Sequence, residues 1–85
     1  MHDDIEWIIE RLRSPLRPEE AQAGWTADTK DGYVKVFADL LSRLQSDKPV
    51  PYLAMGRSLD GFGVGDGELY ERMLKVTNET NQKWR

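Results

Sequence analysis

A chain of 85 residues is long enough for one domain, and a domain of this size buries only a small core. Hydrophobic residues make up 39% of the chain and charged residues 32%, a balance typical of soluble globular proteins, and no apolar run is long enough to span a membrane. The absence of cysteine excludes disulfides, thiolate metal ligands and cysteine nucleophiles. The acidic N-terminus lacks the basic and apolar regions of a signal peptide, so we expect a cytoplasmic protein.

The net charge of −3 arises in the N-terminal third of the chain. The first 27 residues carry six acidic and three basic side chains, and the charges of the remaining residues cancel. Proteins that bind nucleic acid usually present a basic face, because cationic side chains displace the counterions of the phosphate backbone. The composition therefore speaks against nucleic acid as a partner.

The first helix is predicted close to the N-terminus. Asp3 and Asp4 suit the positive end of a helix dipole. Apolar residues then follow at the spacing of a buried helical stripe: Ile5, Ile8, Ile9 and Leu12. The segment 14–18, SPLRP, ends this helix, because a proline disfavours helical conformation in the residue before it. A short second helix is predicted from Pro18, and Gly24 suits the left-handed position after its end.

The strongest pattern predicts a third helix from about residue 31 to residue 46. Its apolar side chains fill one side of a helical wheel: Tyr33, Val34, Val36, Phe37, Leu40, Leu41 and Leu44. The segment 25–32 before it is predicted as a loop or a capping region. A strand over 33–38 is the alternative, because Val34 and Val36 alternate with Lys35, but the residues that follow keep the helical period.

A last helix is predicted from about residue 67 to residue 83, with an apolar stripe that extends to Trp84. The segment 50–56, VPYLAMG, is either a single helical turn that Gly56 ends or an extended segment, and a short strand near 50–55 is one form of the latter. Amphipathic helices of this kind bury their stripes against one another. The sequence thus predicts an all-α fold, a single helical domain over residues 1–85 built as a three- to four-helix bundle, with α+β as the alternative.

Four glycines alternate in the segment 58–67, SLDGFGVGDG, ahead of the last helix. Their spacing fits neither a dinucleotide-binding fingerprint nor a P-loop, and the neighbouring acidic residues repel an anion. If this segment were the calcium-binding loop of an EF-hand, Phe62 and Val64 would occupy ligand positions, but they offer no side-chain oxygen. We therefore expect no metal and no cofactor here. The structural interpretation is that Phe62 and Val64 turn inward while the glycines adopt positive φ.

Trp7 projects from the first helix opposite to its apolar stripe. Asp3, Glu6, Glu10 and Arg11 surround it on the helical wheel, which resembles the aromatic centre and charged rim of a protein interface. These five residues are the candidate partner contacts. The alternatives are that the chain covers Trp7 itself, by the loop around residue 25 or the turn at 14–18, or that Trp7 mediates self-association.

The chain contains no recognisable pairing of a nucleophile with a base, so we expect no catalytic activity and no catalytic residue. The sequence favours a small intracellular protein–protein interaction module, and a homodimer is one version of this hypothesis. An acidic inhibitor or immunity-type protein that binds a basic partner is an alternative, based on charge. A nucleic-acid accessory protein that uses Arg11, Arg13 and Arg17 is a further alternative.

Overall fold

The structure, a computed structural model, describes residues 2–83 of the chain. Its helices are α1 (His2–Arg13), α2 (Pro18–Gln22), α3 (Ala27–Gln45), α4 (Met55–Gly61) and α5 (Glu68–Lys83). No strand occurs in this range, so the predicted all-α bundle is confirmed and the strands considered at 33–38 and 50–55 are wrong. The short helices α2 and α4 raise the number of helices within residues 2–83 to five. Trp84, at the end of the predicted stripe, lies outside the described residues.

The core forms where α1 packs against both α3 and α5, while α4 packs against α5. The apolar stripe of α1 is buried as predicted, and so are the central apolar residues of α3 and α5. The buried apolar side chains of these three helices are Ile5, Ile8, Ile9, Leu12, Tyr33, Phe37, Leu40, Leu69, Met73 and Val76. Their removal from water drives folding, at roughly 1.5–3 kcal/mol for each large apolar side chain that is fully buried.

Helix α3 begins at Ala27, four residues earlier than the apolar pattern predicts. The Thr26 hydroxyl oxygen Oγ1 accepts a hydrogen bond from the Thr29 backbone N–H at 3.1 Å, which caps the helix. The segment 25–32, predicted as a loop or a capping region, therefore contains the cap at Thr26 and the first turn of α3. This extra turn brings Lys30 into the helix and, as described below, into the interior.

The segment between α3 and α4 has no regular secondary structure after the turn at 46–47. Residues 48–54 form neither helix nor strand, and the side chain of Asn81 in α5 holds them. The Leu53 N–H donates to Asn81 Oδ1 at 2.9 Å, and Asn81 Nδ2 donates to the Leu53 carbonyl at 2.8 Å. Of the alternatives for 50–56, the single helical turn ended by Gly56 is wrong, because residues 50–54 are neither helix nor strand. Helix α4 then starts at Met55 and continues through Gly56, which does not end it.

Gly24 follows α2 in the left-handed region that the sequence predicts for it, with φ of +104°. The Gly24 N–H donates to the Ala21 carbonyl at 3.1 Å and the Trp25 N–H donates to the Glu20 carbonyl at 3.0 Å, the two bonds of a Schellman motif. A Cβ on residue 24 would lie 2.1 Å from the carbonyl oxygen of Gly63. The turn after α2 therefore packs backbone to backbone against the loop after α4, and only glycine fits there.

The glycine-rich stretch ends α4 by the same motif. Gly63 has φ of +83°; its N–H donates to the Asp60 carbonyl at 3.0 Å, and the Val64 N–H donates to the Leu59 carbonyl at 2.9 Å. The motif turns Val64 into the core, where it is fully buried, and leaves Phe62 58% exposed. The prediction that both side chains turn inward is right for Val64 and wrong for Phe62, because Phe62 precedes the left-handed residue and stays on the outer side of the helix.

Candidate functional site

Trp7 is half-buried in a seam between α1 and α5. The guanidinium carbon of Arg72 in α5 lies 4.3 Å from the centroid of the indole ring, and that of Arg11 lies 5.1 Å from it. Both distances allow a cation–π attraction. Asp4 reinforces the seam, because its carboxylate oxygens lie 3.5 Å from Arg72 Nη1 and 3.9 Å from Lys75 Nζ. Helix α5, rather than the loop around residue 25, supplies this cover for the ring.

Arg11 connects three helices. Its Nη2 donates to Glu20 Oε2 in α2 at 3.3 Å, and its Nη1 lies 3.8 Å from Glu68 Oε1 at the start of α5. The Arg11 side chain is mostly buried by these contacts and by Trp7. The roles of Trp7 and Arg11 as partner contacts stay predictions, since the contacts that they make within the chain already account for their positions.

The other candidate contacts, Asp3, Glu6 and Glu10, lie on the exposed face of α1. Their spacing of three and four residues places the carboxylates along one side of the helix. None of the three carboxylates forms an ion pair within residues 2–83, in contrast to the neighbouring Asp4. This stripe of α1 therefore carries negative charge that the described part of the chain does not neutralise.

A groove with a volume of about 630 Å³ separates the exposed edges of α1 and α3, and we call it the α1–α3 groove. It is lined by Glu6, Ile9, Glu10, Arg13, Ser14, Ala38, Leu41, Ser42 and Gln45. Ile9, Ala38 and the half-buried Leu41 are its apolar lining residues, and Glu6 and Glu10 line it on the α1 side. Two of the predicted contact residues thus flank an apolar depression that helical periodicity did not predict, because the pattern assigned Leu41 to the core.

A buried ion pair joins α2 to α3. The side chains of Glu20 and Lys30 are 4% and 2% exposed, and Lys30 Nζ donates to Glu20 Oε1 at 2.8 Å and to the Ser14 carbonyl at 3.0 Å. Glu20 Oε1 also accepts from the Arg17 backbone N–H at 2.9 Å, which caps the start of α2. Each charge in this interior site therefore has several hydrogen-bonding partners, as burial of a charge requires.

These partners also set the protonation of Glu20. Burial raises the pKa of the carboxyl group, but the hydrogen bonds from Lys30, from the Arg17 N–H and from Arg11 outweigh burial and hold the pKa of Glu20 below its usual value. Glu20 is therefore charged at neutral pH. The network holds α1, α2 and α3 together. It is a structural element, because the charges of Glu20 and Lys30 neutralise each other.

Sequence reasoning missed this network, although a signal for it exists. Once α3 is taken to start at Ala27, Lys30 precedes Tyr33 by three residues and Phe37 by seven, which places it on the buried stripe. A lysine on that stripe needs a carboxylate partner in the interior. Nothing in the periodicity identifies that partner as Glu20, since it lies ten residues away in another helix.

Within residues 2–83, no group of three or more acidic or histidine side chains is arranged to hold a metal ion. The helices in this part of the chain are all too short or too polar to cross a membrane. Comparisons with protein-family models, with characterised proteins and with solved structures find no match to the chain. The function must therefore be argued from the geometry of the surface.

Proposed function

We propose that this protein is a protein–protein interaction module that binds a basic amphipathic segment of another protein in the α1–α3 groove. The observation that carries the proposal is the position of Glu6 and Glu10, two unpaired carboxylates, beside the apolar surface of Ile9 and Leu41. A helix with one apolar face can lay that face into such a groove. Basic residues at the edge of the same helix then meet the acidic side of α1.

Charge selects the partner. Glu6 and Glu10 line the groove and Asp3 is exposed one turn before them on α1, whereas Arg13 is the single basic residue that lines the groove. Complementary charge accelerates encounter and excludes partners of the same sign, and its contribution decreases as salt screens it. Apolar contact with Leu41 adds a component that depends little on salt. Binding should therefore weaken with ionic strength without vanishing.

The test uses a defined probe, a synthetic amphipathic helical peptide with leucine on one face and lysine on the other. We expect the protein to bind this peptide in calorimetry, and amide chemical-shift changes in nuclear magnetic resonance to concentrate in α1 and α3. The double variant Glu6→Lys and Glu10→Lys should weaken binding by at least about tenfold, because two favourable charge contacts become repulsive. Leu41→Ser should weaken binding and leave its salt dependence unchanged.

The matched control reverses two exposed acids outside the groove, Asp60→Lys and Glu71→Lys. This variant has the same net charge as the groove variant, so general attraction between an acidic protein and a basic peptide affects both equally. If the two double variants lose the same affinity, the groove has no special role and the proposal is wrong. A partner that binds through Trp7 would be equally inconsistent with it.

The nucleic-acid alternative has less geometric support. Two of its three arginines already form ion pairs, Arg11 with Glu20 and Glu68, and Arg17 with Glu19 at 4.0 Å. A mobility shift of a short DNA duplex at low salt, absent in Arg13→Ala, would favour it nonetheless. Absence of catalytic activity and a cytoplasmic location are part of the proposed function and stay predictions.

A further inference from the structure

A second, separate depression lies on the opposite edge of α3, and we call it the α3–α4 groove. It has a volume of about 330 Å³ and is lined by Asp28, Thr29, Gly32, Tyr33, Val36, Ser58 and Phe62. Most of this lining is apolar, and Phe62 forms one wall with its ring in edge contact with Tyr33, 6.0 Å between centroids. Tyr33 in turn is fixed by a hydrogen bond between its hydroxyl and that of Ser58. The groove therefore has a rigid aromatic wall.

Gly32 gives this groove its depth. It lies within α3, where glycine is less favourable than alanine, and a Cβ at this position would meet no atom within 4 Å. Its φ is not in the left-handed region, so neither the backbone nor the packing of the chain requires glycine there. What the missing side chain provides is open space in the groove, beside Val36. Such space is useful where another molecule approaches the helix closely.

The same patch carries both a projecting aromatic ring and a depression. Phe62 is 58% exposed, and it stands at the edge of the depression above Gly32 and Val36. A two-fold symmetric interface requires one surface to be complementary to itself, because both copies contribute the same residues. An exposed ring beside an apolar depression meets this requirement, since each copy can place its ring in the depression of the other.

Charges of opposite sign lie on the two helices that form the α3–α4 groove. Asp28 lines the groove from α3, whereas Arg57 precedes Ser58 on α4 and lines a neighbouring depression. Both side chains are exposed, and neither has an ion-pair partner within residues 2–83. In a two-fold dimer, Asp28 of each copy can pair with Arg57 of the other copy. Charge complementarity therefore favours the same occupant as the shape of the patch.

We infer that the α3–α4 groove is a self-association surface, occupied by Phe62 of a second copy of this chain. The association is reversible, because it depends on one ring and one small depression in each copy, whereas permanent dimers bury extended interfaces. The self-association surface lies on a different face from the α1–α3 groove, so a dimer leaves the α1–α3 groove of each copy available. The inference therefore does not depend on the proposed function.

Analytical ultracentrifugation over a range of concentrations tests the inference with the full chain. The mass should rise with concentration from 9.8 kDa toward twice that value. Phe62→Ser should raise the dissociation constant at least about tenfold, as expected for an aromatic residue at the centre of an interface. Gly32→Leu fills the depression and should have the same effect, while raising the midpoint of urea denaturation, since leucine favours the helix.

The matched control is Leu16→Ser, which removes an exposed apolar side chain that lines neither this groove nor the depression beside Arg57 and should leave association unchanged. Asp28→Lys and Arg57→Glu should each weaken association, and the double variant should restore it by re-forming the pairs in reversed order. A wild-type chain that remains monomeric at millimolar concentration would overturn the inference. So would equal association of wild type and Gly32→Leu, or an equal loss in Leu16→Ser. Failure of the double variant to recover association would exclude the two-fold charge pairing.

Discussion

Gly24→Ala is the substitution for which the fold predicts the largest effect of a single methyl group. Gly24 has φ of +104°, a region where a residue with a Cβ is strained by about 1–2 kcal/mol. The new Cβ would also lie 2.1 Å from the Gly63 carbonyl oxygen and 2.8 Å from its carbonyl carbon. Both atoms belong to the backbone, so the loop after α4 must move, at a further cost of about 1–3 kcal/mol.

The two contributions together amount to a loss of about 2–5 kcal/mol in the free energy of unfolding. A domain of this length has a total of roughly 4–13 kcal/mol, so Gly24→Ala should leave a protein with a strongly reduced or absent folding transition. The measurement is urea denaturation followed by helical circular dichroism, with tryptophan fluorescence, to which the buried Trp25 beside the substituted residue contributes, as a second probe.

Two other glycines in the chain separate the two contributions. Gly67 has φ of +105°, almost the same as Gly24, but a Cβ there would meet only the Ala23 Cβ at 3.9 Å. Gly67→Ala therefore measures the conformational strain alone, at about 1–2 kcal/mol. Gly65 has neither a positive φ nor an atom within 4 Å, so Gly65→Ala should change stability by less than about 0.5 kcal/mol. Equal losses in Gly24→Ala and Gly67→Ala would refute the close backbone contact, and no loss in either would refute the whole argument.

The remaining predictions concern charges and a helix end. Lys30→Met should cost about 3 kcal/mol in urea denaturation, because it leaves the buried Glu20 carboxylate without its main partner; a change below about 1 kcal/mol would contradict the structural role of the network. The pKa of Glu20 is lower in the folded than in the unfolded state, so the charged carboxylate contributes fully to stability above the unfolded value near 4.5. This contribution is lost as pH falls through the folded value. Glu20→Gln should therefore remove this part of the pH dependence when stability is measured in an acid titration. Asp47→Gly should stabilise the protein by about 0.5–1 kcal/mol, as thermal denaturation will show, because Asp47 occupies the left-handed position after α3 with φ of +53°.

The positions of the main helices could be predicted because their apolar residues recur with one period over many residues. The stripes around Ile8 and Phe37 allow only one buried face, and the structure buries that face. The ends of the helices depend instead on single hydrogen bonds, such as the cap from Thr26, which moved the start of α3 by one turn. Helix α4 is too short to show a period, and glycines interrupt it, so composition favoured a loop there.

Phe62 and Lys30 show why the surface was harder to predict than the core. Composition alone favours burial of the phenylalanine and exposure of the lysine, and the structure has the reverse. In each case a backbone feature decided the outcome: the left-handed Gly63 keeps Phe62 outside, and the cap at Thr26 brings Lys30 within reach of Glu20.

The two reversals have opposite consequences for function. The buried Lys30 is neutralised by Glu20, whereas the exposed Phe62 lacks a complete covering within the described chain. An exposed aromatic ring loses the free energy that burial would contribute, roughly 1.5–3 kcal/mol for a full side chain, unless something else covers it. The same reasoning applies to the unpaired carboxylates of Glu6 and Glu10 beside Leu41. Since both sites flank α3 on different edges, substitutions in one groove should leave binding at the other unchanged, and coupling between them would mean that α3 itself shifts on binding.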